Sequence, residues 1–390
     1  MDYCYFDNNA TTKIDNQVFE AMLPYLKDSY GNASSIQHKL GRQANHAVEK
    51  ARLQIAELLN VNPKEIYFSS GSTESINTVI KGISKTYQSK GNHIITSSAE
   101  HKAVLSSCHA VEKEGMQVSY LKVNKFGVID LEELKNTITD KTVLISIMAA
   151  NNETGVLQPI EEIAKISLEN DVLFFCDATQ WIGKLPLDLS KIPIDIICLS
   201  AHKIHGPKGI GALYIRRKTK PTQIPALIVG GKQESGFRGG TYAVHQIVGL
   251  GEAAKQVDFD HDKVEEVRDY FEKRLLEEIE ESEIKTLGSN RLPNSSNIHI
   301  KHVKATELMT KLPTIAISSG SACVSGDRDP SHVLKAMGYT DDEAYCSLRF
   351  SFSKYNSKAQ IDYAIPLIKA ACESIRKDSP IWEMYKEGLI

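Results

Sequence analysis

Short apolar runs alternate with amphipathic helical stretches along most of the chain, and this alternation restricts the fold more than any other feature. An apolar run of about four to eight residues predicts a buried strand, whereas apolar positions three or four residues apart predict a helix. We predict strands at 66–70, 93–97, 117–121, 143–148, 172–176, 194–199 and 210–215, accompanied by helices at 41–60, 101–114, 130–138 and 159–169 and by one that begins near 74. This order is typical of parallel βα units, in which helices cover both faces of a sheet.

The alternation becomes less regular beyond about residue 285. A long charged helix over 264–279 leads into predicted strands at 296–300, 314–317 and 346–352 and predicted helices at 304–311, 330–337 and 358–376. We therefore predict an α/β protein of two domains. The large α/β domain, with a mainly parallel sheet, covers 13–258, and a small α+β domain combines 1–12 with 259–390.

Composition excludes several classes of protein. The 46 basic and 49 acidic residues give a net charge of −3, which argues against a nucleic-acid partner. The apolar stretches fall short of the roughly 18–20 residues needed to cross a bilayer, and the N-terminus lacks the basic region of a signal peptide. The seven cysteines are scattered without a CxxC pair. That pattern favours a reducing, cytoplasmic location and argues against disulfides and against a metal site.

Two polar motifs follow predicted strand ends, where ligands bind in open α/β sheets. The small residues of 69–75 open a helix, so their backbone N–H groups could hold a phosphate, although such residues also serve simply as an N-cap. Asp177 directly follows the buried run 172–176. A carboxylate there is either capped by backbone donors or paired with a cation, and a cationic ring nitrogen is one such partner.

Two further motifs carry candidate nucleophiles. Lys203 ends the run 200–203 before a turn rich in Gly and Pro, where a desolvated lysine can form a Schiff base. The glycines at 209 and 211 do not form a dinucleotide loop, because they enter a strand instead of leaving one. Cys323 is the one cysteine in a polar, glycine-containing loop, 318–329. By itself it would be interpreted as a spectator thiol.

These motifs together provide a phosphate cradle, a carboxylate for a ring nitrogen and a Schiff-base lysine, which are the three handles of pyridoxal phosphate. The chain resembles the NifS/IscS-type cysteine desulfurases, in the class V aminotransferase-like, fold-type I group of pyridoxal phosphate enzymes. The motifs that carry the resemblance are 6–12 (FDNNATT), 31–35 (GNASS), 99–101 (AEH), 150–155 (ANNETG), 177–180 (DATQ), 200–203 (SAHK), 238–241 (RGGT) and 318–325 (SSGSACVS).

The resemblance implies a role for each matching residue. Lys203 holds the cofactor and moves a proton at the substrate Cα, His101 stacks on the ring, and Cys323 attacks the substrate sulfur. Arg349, with help from Asn152, grips the substrate carboxylate; its plainer interpretation is a strand-edge arginine in a surface ion pair. The implied cofactor-binding residues are Ser72, Thr73, His101, Asn152, Asp177, Gln180, Ser200, Ala201, His202, Lys203 and Thr241.

Within that set, Asp177 is implied to pair with the ring nitrogen and Gln180 with the ring hydroxyl. Ser72, Thr73, Ser200 and His202 are implied to bind the phosphate. Thr241 is implied to reach the phosphate from the second subunit of a homodimer. No metal is implied.

The resemblance implies a cytoplasmic enzyme that converts L-cysteine to L-alanine and an enzyme-bound persulfide. Another class V pyridoxal phosphate enzyme, an aminotransferase or a selenocysteine lyase, is the nearest alternative, and there Cys323 would be incidental. A non-catalytic interaction module with the same fold is an alternative of another class. The sequence leaves the sulfur acceptor open among an iron–sulfur scaffold, a tRNA-thiolation carrier and a DNA-modification system. It also leaves open whether a scaffold docks without the tail that housekeeping enzymes carry beyond the position of Ile390.

Overall fold

A computed structural model describes residues 3–218, 222–259, 262–319 and 329–389. The strands in this part of the chain are β1 (Cys4–Tyr5), β2 (Ile66–Ser69), β3 (His93–Ser97), β4 (Gln117–Leu121), β5 (Thr142–Ser146), β6 (Leu173–Asp177), β7 (Ile196–Ser200), β8 (Gly211–Ile215), β9 (Ser282–Ile284), β10 (Ser295–Ile300), β11 (Ile315–Ala316), β12 (Ser318–Ser319) and β13 (Ser347–Ser351). The helices are α1 (Asn16–Lys27), α2 (Lys39–Leu59), α3 (Ser72–Thr86), α4 (Lys102–Glu112), α5 (Leu131–Thr137), α6 (Ile160–Glu169), α7 (Val244–Lys255), α8 (Asp262–Glu278), α9 (Ala305–Lys311), α10 (His332–Ala336), α11 (Asp341–Tyr345), α12 (Lys358–Lys377) and α13 (Pro380–Lys386).

A seven-stranded sheet in the order β2-β8-β7-β6-β5-β3-β4 forms the centre of the first lobe. Of these strands, β8 alone runs opposite to the other six. One face packs against α3 and α4, the other against α2, α6 and α7, so apolar cores lie on both sides. Because β2, β6 and β7 run in the same direction, their carboxyl ends meet at one edge of the sheet.

A third apolar core surrounds the four-stranded antiparallel sheet β12-β13-β10-β9. Helices α8 and α12 supply much of this core, through Phe271 and Ile365 among others. The N-terminal strand β1 pairs in parallel with β11, and Phe6 is buried in the same core. The start of the chain therefore packs with its C-terminal part.

The structure differs from the sequence prediction in several elements. The strand predicted at 314–317 is divided into β11 and β12, and the helix predicted at 330–337 is shortened to α10, which Ser331 caps by accepting from the Leu334 N–H. The sequence pattern did not predict helices α1, α7, α11 and α13 or strands β1 and β9. Val333 and Leu334 of α10 pack into the core of the first lobe. The domain bounds 13–258 and 1–12 with 259–390 stay a prediction.

Among the described helices, none combines the length and the apolar character that a membrane span requires.

Candidate active site

A cavity of about 690 Å³ lies at the carboxyl edge of the central sheet, between the two lobes. It is bounded by the β2–α3 turn, the ends of β6 and β7, the N-terminal segment 9–11 and one arginine from β13. The predicted site residues that line it are Ser72, Thr73, His101, Asn152, Asp177, Gln180, Ser200, His202, Lys203 and Arg349. Residues separated by almost 280 positions in the sequence are thus brought to one place.

The β2–α3 turn provides an anion cradle. Gly71 has φ +146°, a conformation that disfavours a side chain, and it heads α3 without any side-chain cap. The first N–H groups of this 15-residue helix therefore stay available, and the helix dipole favours a negative charge beside them. A Cβ at Gly71 would lie 3.6 Å from Ser200 Oγ, so the glycine keeps the approach to that hydroxyl open.

His202 borders the same cradle. One ring nitrogen, Nδ1, lies 3.1 Å from the hydroxyl of Thr11. Burial lowers the pKa of His202 to about 4, and the charge of Lys203 acts in the same direction. The imidazole is therefore neutral near pH 7.

Asp177 ends β6 and is buried. Its Oδ1 accepts hydrogen bonds from the hydroxyl and the N–H of Thr179 and from the thiol of Cys198. Its Oδ2 accepts none from the residues described here. One oxygen thus anchors the carboxylate, and the other is left for a donor that enters the cavity.

Lys203 ends a 3₁₀ turn, Ala201–Lys203, directly after β7. Its Nζ donates to the carbonyl oxygens of Asn9 at 2.5 Å and of Ala10 at 2.7 Å. Burial lowers the pKa of Lys203 to about 8, and the nearby guanidinium of Arg349 acts in the same direction. About a tenth of the amine is therefore uncharged at pH 7, far more than for an exposed lysine, and the uncharged form is the nucleophile.

His101 caps the N-terminus of α4, where its Nδ1 accepts from the Ala103 N–H at 3.1 Å. An accepting Nδ1 leaves the proton of the neutral ring on Nε2. The ring lines the cavity, and burial among the surrounding walls lowers its pKa. The preceding residue, Glu100, is fully buried, and burial raises its pKa to about 8. Its carboxyl group accepts a hydrogen bond from the Met148 N–H.

Arg349 lies on β13, an interior strand of its sheet, and is buried. Its Nη2 donates to Asp7 Oδ1 at 2.6 Å, and its Nη1 donates to the Asn152 carbonyl at 2.9 Å. The interpretation as a strand-edge arginine in a surface ion pair is wrong, because both the strand and the side chain are enclosed. Its Nε is buried without a hydrogen-bond acceptor among the described residues.

Three predicted residues lie elsewhere. Ala201 is buried behind Lys203 and does not line the cavity. Thr241 is exposed in an adjoining cleft, which shares Ser70 and Gly209 with the cavity. Cys323 lies outside the described residues, as do most of the other residues of the loop 318–329.

Sequence reasoning assigned no role to several residues that shape the site. They are the partners of the predicted ones: Asp7 of Arg349, Asn9 and Ala10 of Lys203, Thr11 of His202, Thr179 of Asp177 and Lys184 of Gln180. Four of them belong to the polar run 7–12 (DNNATT). The density of Asn and Thr in this run is the sequence feature that could have indicated their role.

The comparisons with known proteins agree with this geometry. The model of the aminotransferase class-V family matches residues 4–364, so the chain belongs to that family. A relative from Histophilus somni (strain 129Pt), named cysteine desulfurase IscS, is 46% identical over 391 residues, which covers 99% of this chain and 96% of the relative. Two similar solved structures are each 38% identical to this chain in sequence. A NifS-like protein has a TM-score of 0.87 over 96% of this chain and 99% of its own, and SspA in complex with cysteine has 0.82 over 91% and 100%.

Within its family, the chain is therefore an enzyme of the NifS/IscS cysteine desulfurase type, with a fold-type I architecture and a dependence on pyridoxal phosphate. These conclusions confirm the resemblance, the fold class and the cofactor predicted from the sequence. The roles of individual residues stay predictions.

The cavity fits pyridoxal phosphate on four observations. The N-terminus of α3 is uncapped, Asp177 Oδ2 accepts no hydrogen bond from described residues, and the amine of Lys203 is largely desolvated. The carboxamide of Asn152 lines the cavity without a hydrogen-bond partner in the described part of the chain. A phosphate, a ring nitrogen, an aldehyde and a ring substituent would each meet a suitable group.

Proposed function

We propose that this enzyme removes sulfur from L-cysteine, releases L-alanine and holds the sulfur as a persulfide on Cys323 until an acceptor protein takes it. The observation that carries the proposal is the desolvated amine of Lys203 in one cavity with Asp177, His101 and Arg349. Bound pyridoxal phosphate would supply an electron sink for the negative charge that develops at the substrate Cα. The other tasks fall to side chains of this chain.

Arg349 is proposed to hold the carboxylate of the substrate. A guanidinium matches a carboxylate through parallel charge-assisted hydrogen bonds. The buried Nε has no acceptor among the described residues, and a buried donor without an acceptor is destabilising. A carboxylate that enters the cavity would supply that acceptor. The carboxamide of Asn152, which also lines the cavity, would bond the same carboxylate.

Lys203 is proposed to move the proton at the substrate Cα. A general base works best when its pKa lies near the working pH. With its pKa near 8, the amine can both take and return a proton at neutral pH. His101, whose Nε2 carries the proton of the neutral ring, is proposed to lie against the cofactor ring and to donate from that nitrogen.

Cys323 is proposed to be the sulfur-accepting nucleophile, and the other cysteines support this by their burial. All six described cysteines are buried. Burial raises the thiol pKa to about 12 for Cys108 and Cys372 and to about 11 for Cys346. A buried thiol with a raised pKa supplies almost no thiolate, which is the reactive form.

The sulfur transfer needs no external oxidant or reductant. The thiolate of Cys323 attacks the substrate sulfur and forms an S–S bond, while the bond between that sulfur and Cβ breaks. The electron pair of the broken bond stays with Cβ, which takes up a proton and becomes the methyl group of alanine. Cysteine and one enzyme thiol thus become alanine and one enzyme persulfide.

Replacement of Cys323 by alanine tests the proposal. We expect the Cys323→Ala enzyme to remain yellow and to change its absorbance when cysteine is added, because cofactor and substrate binding need other residues. Release of alanine from cysteine should fall by about 10³-fold or more, as is typical when a covalent nucleophile is removed. Persulfide should no longer be trapped on the protein. The control Cys346→Ala, at a buried cysteine, should keep most of its activity.

The same experiment separates the alternatives. An aminotransferase or selenocysteine lyase would keep its turnover in the Cys323→Ala variant, since the cysteine would be incidental to either reaction. A non-catalytic module would bind no pyridoxal phosphate and release no alanine in the unaltered protein. Either result would overturn the proposed function.

We further propose that the enzyme works as a cytoplasmic homodimer, in which Thr241 completes the phosphate site of the second subunit. Two features support the dimer: Thr241 is exposed beside the cavity, and the neighbouring segment 227–229 leaves three apolar side chains exposed, Val229 at 81%. The sulfur acceptor is proposed to be an iron–sulfur scaffold or a thiolation carrier. Identifying the protein that takes labelled sulfur from the persulfide would decide between them.

A further inference from the structure

Lys184 is a buried lysine that the chemistry above does not use. It lies in the turn after β6, four residues beyond Gln180, and only 8% of it is exposed. Its Nζ donates to Gln180 Oε1 at 2.5 Å and to Asn9 Oδ1 at 3.2 Å. No carboxylate in the described ranges forms an ion pair with it. The charges recorded near it, Lys203 and Arg349, are both positive, and burial together with these charges lowers the pKa of Lys184 well below its usual value.

Stability alone does not explain a lysine at this position. A buried amine with neutral acceptors and cationic neighbours is costly, and an apolar side chain of similar volume is often as stable or more stable. Methionine has nearly the same length and would fill the same space. The feature that methionine lacks is the pair of hydrogen bonds from Nζ to two side-chain oxygens.

These hydrogen bonds fix which way the carboxamide of Gln180 points. Its Oε1 accepts from Lys184, while its Nε2 donates to the Asn9 carbonyl at 3.0 Å. A carbonyl can only accept, so both contacts favour the same orientation of the amide. The second N–H of Nε2 remains, and Gln180 lines the cavity. Gln180 therefore offers the cavity a donor and not an acceptor.

The same lysine also holds Asn9. Asn9 Oδ1 accepts from Lys184 and from Asn294 Nδ2, the latter at 3.1 Å. The backbone carbonyl of Asn9 is the oxygen to which Lys203 Nζ donates at 2.5 Å. Two lysines thus use two oxygens of one residue, and a shift of Asn9 would move the acceptor of Lys203.

We propose that Lys184 is a positioning residue: it sets Gln180 as a hydrogen-bond donor toward the ring hydroxyl of pyridoxal phosphate and fixes Asn9 beside Lys203. The proposal rests on the proposed function, because it assumes that the cavity holds this cofactor.

The test compares Lys184→Met with Lys191→Met. Lys191 lies seven residues further on and is 80% exposed, so its replacement controls for loss of a lysine in the same part of the chain. Two readouts are used: the dissociation constant of pyridoxal phosphate from the apoprotein, by equilibrium dialysis, and the pH titration of the visible absorbance of the substrate-free holoenzyme. We expect Lys184→Met to bind the cofactor about tenfold more weakly, the scale of one to two lost hydrogen bonds. Its titration midpoint should shift, whereas Lys191→Met should match the unaltered enzyme in both readouts.

A double-mutant cycle with Gln180→Ala shows whether Lys184 acts through Gln180. If it does, Lys184→Met should add little weakening in the Gln180→Ala background, because the group that it orients is gone. A merely structural lysine would instead lower the thermal midpoint of unfolding and leave the absorbance titration unchanged. That result, or fully additive losses of affinity, would overturn the proposal.

A second variant covers the case in which Lys184→Met does not fold. In Lys184→Gln the new amide can donate to or accept from Gln180, so it satisfies both orientations and removes the contribution of residue 184 to the preference, leaving only the contact of Nε2 with the Asn9 carbonyl. We expect weaker cofactor binding and a shifted titration there too, and unchanged values would again overturn the proposal. If the unaltered protein binds no pyridoxal phosphate, the proposed function itself fails. If it binds the cofactor normally and both Lys184 variants behave identically to it, only this inference fails.

Discussion

The two oxygens of Asp177 lie in different surroundings. Thr179 and Cys198 bond Oδ1, while Oδ2 accepts no hydrogen bond from the described residues. The position of Asp177 after an apolar strand left two roles open, a carboxylate capped by backbone donors and a partner for a cation, and its role as partner of a ring nitrogen stays a prediction. The role of Thr179 could not be predicted. In ordinary turns an Asp commonly bonds the residue two positions further on, so the sequence carries no sign that this contact has a function.

The charge of Asp177 is expected to matter more than its exact anchoring. An amide cannot hold a ring nitrogen in its cationic form, so Asp177→Asn should lower kcat by about 10²–10³-fold while the cofactor stays bound. Thr179→Val removes the hydroxyl bond to Oδ1 but keeps the carboxylate, and it should cost about tenfold or less. Steady-state kinetics on cysteine compares the two. Equal losses would assign Asp177 a merely structural role.

Lys203 should make the stability of the apoprotein depend on pH. Its pKa is about 8 in the folded chain, against about 10.4 in an unfolded one. Between pH 8 and pH 10 the unfolded state therefore binds more protons, so the folded state gains stability as the pH rises, by up to about 3 kcal/mol. Below pH 8 both states hold the proton and the full cost of the buried charge applies.

The measurement is denaturant unfolding of the apoprotein at several pH values, with Lys203→Ala as the control. The stability of the unaltered protein relative to this variant should rise from pH 8 to pH 10. A difference that is flat over this range would contradict the assigned pKa.

Among the elements, the segment 228–242 is anchored to the central sheet lobe by a buried ion pair. Glu234 and Ser235 both have positive φ, 48° and 57°, which non-glycine residues rarely adopt. Both carboxylate oxygens of Glu234 accept from Arg52 at 2.8 Å, and one of them also accepts from the Phe68 N–H. This pair fixes the segment that carries Thr241 to α2 and β2.

Loss of one partner from this pair is expected to be costly. Glu234→Gln leaves the buried guanidinium of Arg52 without its carboxylate and should lower the free energy of unfolding by about 3–5 kcal/mol. Glu49 pairs with the same arginine at the surface, with 55% of its side chain exposed, so Glu49→Gln should cost less than about 1 kcal/mol. Denaturant unfolding of the two variants checks the difference, and similar losses would contradict this account.

Elements with a strong apolar pattern were predictable, and those shaped by close packing were not. The strands of the central sheet lie within about two residues of their predicted positions, because most of them are apolar runs buried on both faces. The edge strand β4 is partly exposed. Helix α7 escaped prediction, since its two glycines are poor helix formers. The structure explains both of them. A Cβ at Gly251 would lie 2.5 Å from Ala51 Cα, so this glycine allows α7 to approach α2, and a Cβ at Gly249 would lie 2.6 Å from the sulfur of Met22.

At the scale of the whole molecule, the N-terminal segment joins the two lobes at the site. Asn9 contacts Gln180 and Lys184 on one side and Asn294 and Ser295 on the other. Asp7 pairs with Arg349, which is 342 positions away in the sequence. Local patterns carry no information on such distant pairs, so the sequence predicts candidate residues for the chemistry but not the residues that hold them in place.

The ion pair between Asp7 and Arg349 also has a consequence for folding during translation. A ribosome makes the chain from its N-terminus, and early segments can fold while later ones are still unmade. Asp7 and Asn9 are made 342 positions before Arg349 and Ser351, the residues that bond them. The central sheet can form before then, yet the wall that holds the amine of Lys203 cannot close. The hydrogen-bonded form of this wall therefore waits until the ribosome has made β13.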